Sequence, residues 1–127
     1  MYNTELLNAF TSSPYAGDLK GATASATVKS KKFGDIVKIS LKINENLIIE
    51  QAKYKSFGGV ITSVCASAVC ELVTNSNLVL AQQITSEDII NHVGTLNDDQ
   101  KYLASLPVIA LMEAIKKFLR KYNKKAA

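Results

Sequence analysis

The chain has 127 residues with 47% apolar and 20% charged residues, two cysteines, one histidine and no tryptophan. That is one domain's worth of chain with core-forming composition, read here as a single domain over residues 1–127. It excludes a disordered polymer, a disulfide framework, and a zinc site of four cysteines or of two cysteines and two histidines.

The net charge of +4 hides a segregation. Residues 56–100 carry Glu71, Glu87, Asp88, Asp98 and Asp99 and no lysine or arginine. Lys116, Lys117, Arg120, Lys121, Lys124 and Lys125 crowd the end of the chain, and without those six cations the net is −2. A basic helix end, 116–127, is therefore attached to a mildly acidic body. Such an end suits nucleic acid, anionic lipid or an acidic protein surface, and equally a solvated helix terminus whose cations favour the dipole.

In chain order, Tyr2, Leu6, Leu7 and Phe10 have helical spacing. Ser12, Ser13, Pro14, Gly17 and Gly21 mark a loop. Ala22, Ala24, Ala26 and Val28 alternate with Thr23, Ser25, Thr27 and Lys29, which predicts a half-exposed strand. After a turn at Lys31–Gly34, Val37, Ile39, Leu41 and Ile43 alternate with Lys38, Ser40 and Lys42 as a second strand. Asn44-Glu45-Asn46 reads as a hairpin turn. Leu47–Ser56 is the third strand, with Ile48, Ala52 and Tyr54 expected on one face.

Val60–Asn75 then reads as a helix rich in small residues, able to sit close against a sheet. Leu78–Ile84 is a short helix, and Thr85-Ser86-Glu87-Asp88 is a capping signal for the next one, which Gly94 ends. Asp98–Ala104 starts another. Pro107 fits the first turn of a final helix with Ser105 as candidate cap; Val108, Leu111, Met112, Ile115 and Leu119 form its apolar stripe. Strands grouped ahead of helices predict an α+β fold: a three-stranded antiparallel meander with helices packed on one face.

No segment approaches the ~18 consecutive apolar residues of a membrane span. Met1–Ala9 contains Glu5 and has no basic lead-in, unlike a secretory signal. A cytoplasmic protein with reduced cysteines is expected. Cys65 and Cys70, five residues apart on a helix, point about 140° apart and are separated by ~7.5 Å of rise, which disfavours a mutual disulfide.

Several strings, taken together and in order, resemble the NifU/IscU/SufU iron–sulfur cluster scaffold proteins. Met1-Tyr2 with Ser13-Pro14 and Gly17 is similar to that family's opening helix and loop. Phe33-Gly34-Asp35 stands where the family has Cys-Gly-Asp. Asn44–Ala52 resembles its hairpin, and Tyr54–Gly58 its approach to a second cysteine. Val60–Leu72 is similar to its small-residue helix, and Ala81, Gln82, Ile84, Asp88, Ile89 and Glu113-Ala114-Ile115 match later segments. The resemblance covers about residues 1–122 and implies an IscU/SufU-like fold.

What the resemblance implies about ligands is a loss. The family holds a cluster or zinc with three cysteines, an aspartate and in some members a histidine. Here the cysteine positions fall on Phe33, Gly59 and about Pro107, and the histidine position on Leu106; only the aspartate remains, as Asp35. The Leu-Pro-Pro-Val-Lys chaperone motif is replaced by Gln100–Ala104. A cluster or zinc needs several thiolate or imidazole donors within ~2.3 Å, so no cofactor is expected in the isolated chain. An iron–sulfur cluster or zinc would require an atypical or intersubunit site.

The remaining chemical residues have quieter alternatives. Asp35 is either a vestigial ligand or a turn carboxylate bonded to backbone N–H groups. Cys65 and Cys70 are relocated ligands or buried small hydrophobes. His92 is a ligand or a surface residue near a helix C-terminus. Gly58-Gly59 is a phosphate cradle or a turn, without the lysine and spacing of a Walker loop. Phe33 fills the old pocket or offers an apolar contact.

Three readings follow. The first is a degenerate scaffold paralogue, not an enzyme, acting through contact with a cysteine desulfurase or a ligand-bearing paralogue. The second is a metal or cluster scaffold with an atypical or intersubunit site. Last comes a nucleic-acid module using the basic tail, which lacks an aromatic stacking series beyond Tyr122.

Overall fold

The computed structural model describes residues 13–94 and 96–126; the helix expected over Tyr2–Phe10 lies outside them. Three strands, β1 (Ala24–Lys29), β2 (Ile36–Ile43) and β3 (Ile49–Phe57), form an antiparallel sheet in the order β1-β2-β3. They are followed by α1 (Val60–Val73), α2 (Leu78–Ala81), α3 (Ser86–Val93), α4 (Asp98–Lys101), a 3₁₀ turn at Tyr102–Ala104, and α5 (Ser105–Ala126). The expected α+β meander with helices on the sheet is the observed fold. Among the described residues no helix is long and apolar enough to cross a membrane.

Helix α1 packs on β3 and α5 on β1 and β2. Every residue from Ile61 to Cys70 is buried. Ala66, Ser67 and Ala68 permit this, because a helix enclosed by sheet, α3 and α5 has no room for long side chains. Below it lie Val37, Ile39, Leu41 and Tyr54; beside it lie Leu111, Ala114 and Ile115. Lys38, Lys42, Lys53 and Lys55 alternate out of phase with these and take the sheet's open face, where Lys38 and Lys55 are directly opposed. Like charges so placed repel, and Asp18 Oδ2, 3.4 Å from Lys55 Nζ, offsets part of that repulsion.

Several expected details differ. Ala22 is exposed and precedes β1; at this end Thr23 Oγ1 replaces a ladder partner, donating to the Leu41 carbonyl and accepting from Ile43 N–H. Ile48 is only half-buried and Ile49 takes its core place. The cause is a β-bulge: Lys42 pairs with Gln51 but Ile43 with Ile49, leaving Glu50 as an extra residue. A bulge shifts the alternation by one, so Ile49 and Ala52 both face inward although three residues apart. Ser105 is not a cap. Its backbone is already helical and its hydroxyl donates to the Tyr102 carbonyl, because the 3₁₀ turn runs directly into α5.

Helix ends follow local chemistry. Asn75, at φ 68°, stops α1 two residues early, and its N–H donates to the Ile49 carbonyl while Ile49 N–H donates to the Ser76 carbonyl. Asn77 caps α2, which ends at Ala81 and not at Ile84. Thr85 and Asp88 form the expected capping box of α3.

Candidate functional site

The turn between β1 and β2 is held from within. Ser30 N–H donates to the Asp35 carbonyl (2.7 Å), Gly34 N–H to the Ser30 carbonyl (2.9 Å) and Phe33 N–H to Ser30 Oγ (3.1 Å). Gly34 sits at φ 75°, which a side chain would resist. Two residues therefore project in opposite senses: Phe33 outward, 51% exposed, and Asp35 inward, 9% exposed.

Asp35 Oδ2 accepts a 2.6 Å hydrogen bond from Thr62 Oγ1 and a long one, 3.4 Å, from Gly59 N–H. Gly59 is the residue before α1 and has no side chain with which to cap it. The carboxylate thus arrives from another element at the electropositive end of α1, where a negative charge is stabilised. Its proximity leaves Gly58 no alternative. A Cβ there would run into the Asp35 carboxyl group, 2.6 Å from Cγ, and Gly58 has φ 148°.

Phe33 packs edge-on against Tyr102, ring centroids 5.5 Å apart, and Lys32 Nζ lies 5.2 Å from the Phe33 centroid. Tyr102 Oη also lies 3.4 Å from Ser30 Oγ. The turn is so joined to the 3₁₀ segment ahead of α5. Leu106 and Pro107 follow in the first turn of α5 and are buried in the core. Phe33, Asp35 and Gly59 share one corner of the molecule, and Leu106 and Pro107 lie just beyond the segment that touches Phe33.

This donor set does not fit a cluster or a zinc ion. Of the five positions only Asp35 carries a metal-binding atom, and one of its oxygens already holds Thr62 and Gly59. Among the described residues no three His, Cys, Asp or Glu are grouped to hold a metal. Cys65 and Cys70 are fully buried and unpaired, and burial pushes both thiols up to about 12. A ligand must be a thiolate. His92 lies on the surface in the last turn of α3, its Nε2 2.9 Å from Glu71 Oε2 of α1. The three relocated candidates are not brought together.

Sequence reasoning missed Thr62 and Tyr102, the two residues that engage the corner. Thr62, three residues past Gly59 in a run of small residues, carried a signal as a polar side chain at the start of an enclosed helix; Tyr102 carried none.

The sequence model of the NifU-like N-terminal domain matches residues 1–125. The chain belongs to that family. The NifU-like domain is 33% identical over 109 residues to the nitrogen fixation protein NifU of Cereibacter sphaeroides, covering 86% of this chain and 44% of that protein. It is 27% identical over 124 residues to the iron–sulfur cluster assembly scaffold protein IscU of Aquifex aeolicus, covering 97% and 79%. The chain thus spans less than half of the NifU relative. The NifU-like fold is shared with a crystal structure described as a putative SUF-system scaffold from Fervidobacterium islandicum (TM-score 0.73, 16% identity, 89% and 95% of the two chains). It is shared also with a NifU-like N-terminal domain from Brucella abortus (TM-score 0.70, 17% identity, 94% and 95%).

Proposed function

We propose that this NifU-like domain serves iron–sulfur cluster assembly as a degenerate member of its family, one that does not itself hold a cluster and acts by protein–protein interaction. One observation carries the reading. Four of the five positions that the family resemblance assigns to ligands are Phe33, Gly59, Leu106 and Pro107, and the fifth, Asp35, is engaged by Thr62 and Gly59. Cluster assembly on a scaffold requires thiols to receive sulfur and to bind iron. This corner offers none, and in their place it presents an exposed aromatic ring beside a lysine.

The role is therefore not catalytic. The partners we assign are a cysteine desulfurase, or a paralogue that keeps its ligands and is bound by this chain in the cytoplasm. The experiment is anaerobic reconstitution with iron, sulfide and a cysteine desulfurase, followed by iron, sulfide and zinc analysis of the isolated monomer. The expected result is no stoichiometric cluster and no tightly held zinc. A stoichiometric cluster on the monomer would overturn the reading.

A further inference from the structure

The basic end of the chain has no part in the corner described above, yet the fold gives it a definite neighbour. Strand β1 is an outer strand of the sheet. Ser30 bonds to Asp35 in the same register that pairs Val28 with Val37 and Ala26 with Ile39. In an antiparallel ladder bonded and non-bonded pairs alternate. Val28 and Ala26 therefore turn their backbone groups to β2, while Ser25 and Thr27 turn theirs outward. Lys117 Nζ confirms the sense, approaching the Ser25 carbonyl at 3.4 Å.

Along this edge runs a cleft of about 470 Å³, with Thr23 and Ser25 on one wall and Lys117, Arg120 and Lys121 on the other. No acid lines it. None of its three cations forms an ion pair among the described residues; in α5 only Lys116 does, with Glu113. Outer-edge backbone and unpaired cations thus share one recess. Grouping three unpaired cations in one recess costs electrostatic energy in the free protein, and a partner of opposite charge relieves it.

We propose that this cleft binds an acidic, extended segment of a partner protein. The segment adds as a fourth strand beside β1, its backbone meeting Ser25 and Thr27 and its carboxylates meeting Lys117, Arg120 and Lys121. Strand addition supplies register through main-chain hydrogen bonds, and alternate side chains supply selectivity. A polypeptide suits the recess better than nucleic acid, because the edge offers peptide-spaced donors and acceptors and, among the described residues, none that lines the cleft is an aromatic on which bases would stack. Lysines also serve to blunt sheet edges against pairing, which predicts no occupant at all. The cleft lies at the far end of β1 from Phe33 and Asp35. The proposal names a surface for the interaction role above, but its failure leaves the reading of the ligand corner intact, and failure of that reading leaves the cleft.

The test uses the full chain and a fluorescent peptide of alternating Glu and Thr. Its controls are a peptide of equal charge with Pro in place of Thr, a single-stranded oligonucleotide, and anionic phospholipid vesicles. The Glu/Thr peptide is expected to bind saturably, more weakly as salt rises, and to shift the backbone amide resonances of Ser25 and Thr27. The Pro peptide, unable to pair as a strand, should bind about tenfold or more weakly, as should the Glu/Thr peptide to Lys117→Glu/Arg120→Glu. An unchanged thermal midpoint certifies that variant. Absence of peptide binding, equal binding of the Pro peptide, amide shifts confined elsewhere, or tighter binding of the oligonucleotide or vesicles would each overturn the proposal. The Pro-peptide comparison needs only the natural chain and decides the matter even if the variant does not fold.

Discussion

Thr62 Oγ1 donates to Asp35 Oδ2 across 2.6 Å, joining the first turn of α1 to the β1–β2 turn, with both residues buried. A buried carboxylate is tolerated only when its oxygens are bonded. Thr62→Val keeps the shape of the side chain and removes the donor. It is expected to lower the unfolding free energy by about 1–3 kcal/mol, the usual result of stranding a buried polar group. Thr62→Ser should recover most of that loss. Urea denaturation of the three proteins measures both.

Gly58 is constrained twice, by its backbone and by Asp35. Gly58→Ala should cost roughly 1–3 kcal/mol from the unfavourable φ alone, and more from the collision with the carboxyl group. In an Asp35→Ala background the collision is gone and the backbone cost remains. A double-mutant cycle should therefore show coupling between the two positions. Strict additivity would mean that the carboxyl group is not what excludes a side chain.

Cys65 and Cys70 should be inert in the native protein. Their thiols are pushed up to about 12 by burial, against an ordinary value of 9.0. At pH 8 a disulfide reagent is expected to modify neither until the chain is unfolded in guanidinium. Stability carries the matching signature. Between pH 9 and about 12 the unfolded chain loses thiol protons that the folded chain keeps, so the folded state binds more protons. The contribution is whole below pH 9 and is lost as the pH rises toward 12. Replacing both cysteines by alanine should flatten that part of the stability profile.

On the proposed reading, placing thiols at the corner should confer metal binding. Phe33→Cys/Gly59→Cys/Pro107→Cys would place three thiols with Asp35 in a family whose fold is shared along the chain. Expression in zinc-supplemented medium is expected to yield about one zinc per triple variant by elemental analysis, and none in the natural chain. Thr62→Ala added to the triple variant should tighten the site by freeing the carboxylate.

Much of this fold was legible because the sequence obeys simple periods. Val37, Ile39, Leu41 and Ile43 alternate without interruption, and the Thr85/Asp88 capping box is written in four consecutive letters. The Glu50 bulge was not legible, since Leu47–Ser56 reads equally well with Ile48 or Ile49 inward and only pairing with β2 decides between them. Ser105 was misread for a related reason: a cap and a continuing 3₁₀ turn have the same local sequence. At the candidate site, it is the resemblance alone that sets Phe33, Gly59 and Pro107 at the family's ligand positions. The hydrogen bond from Thr62 to Asp35 and the ring contact between Tyr102 and Phe33 span 27 and 69 positions, far beyond any local pattern.

The bulge beside Ile43 governs more than which side of β3 faces inward. Ile49, where the alternation is reset, is also the residue whose N–H and carbonyl fasten the chain after α1, through Ser76 and Asn75. Sliding β3 by one position would turn Tyr54 out of the core and at the same moment unfasten the end of the helix. Misregistered near-native states must then absorb two errors together. That widens the gap separating them from the native structure and leaves the three-stranded sheet, short as it is, with one way to assemble.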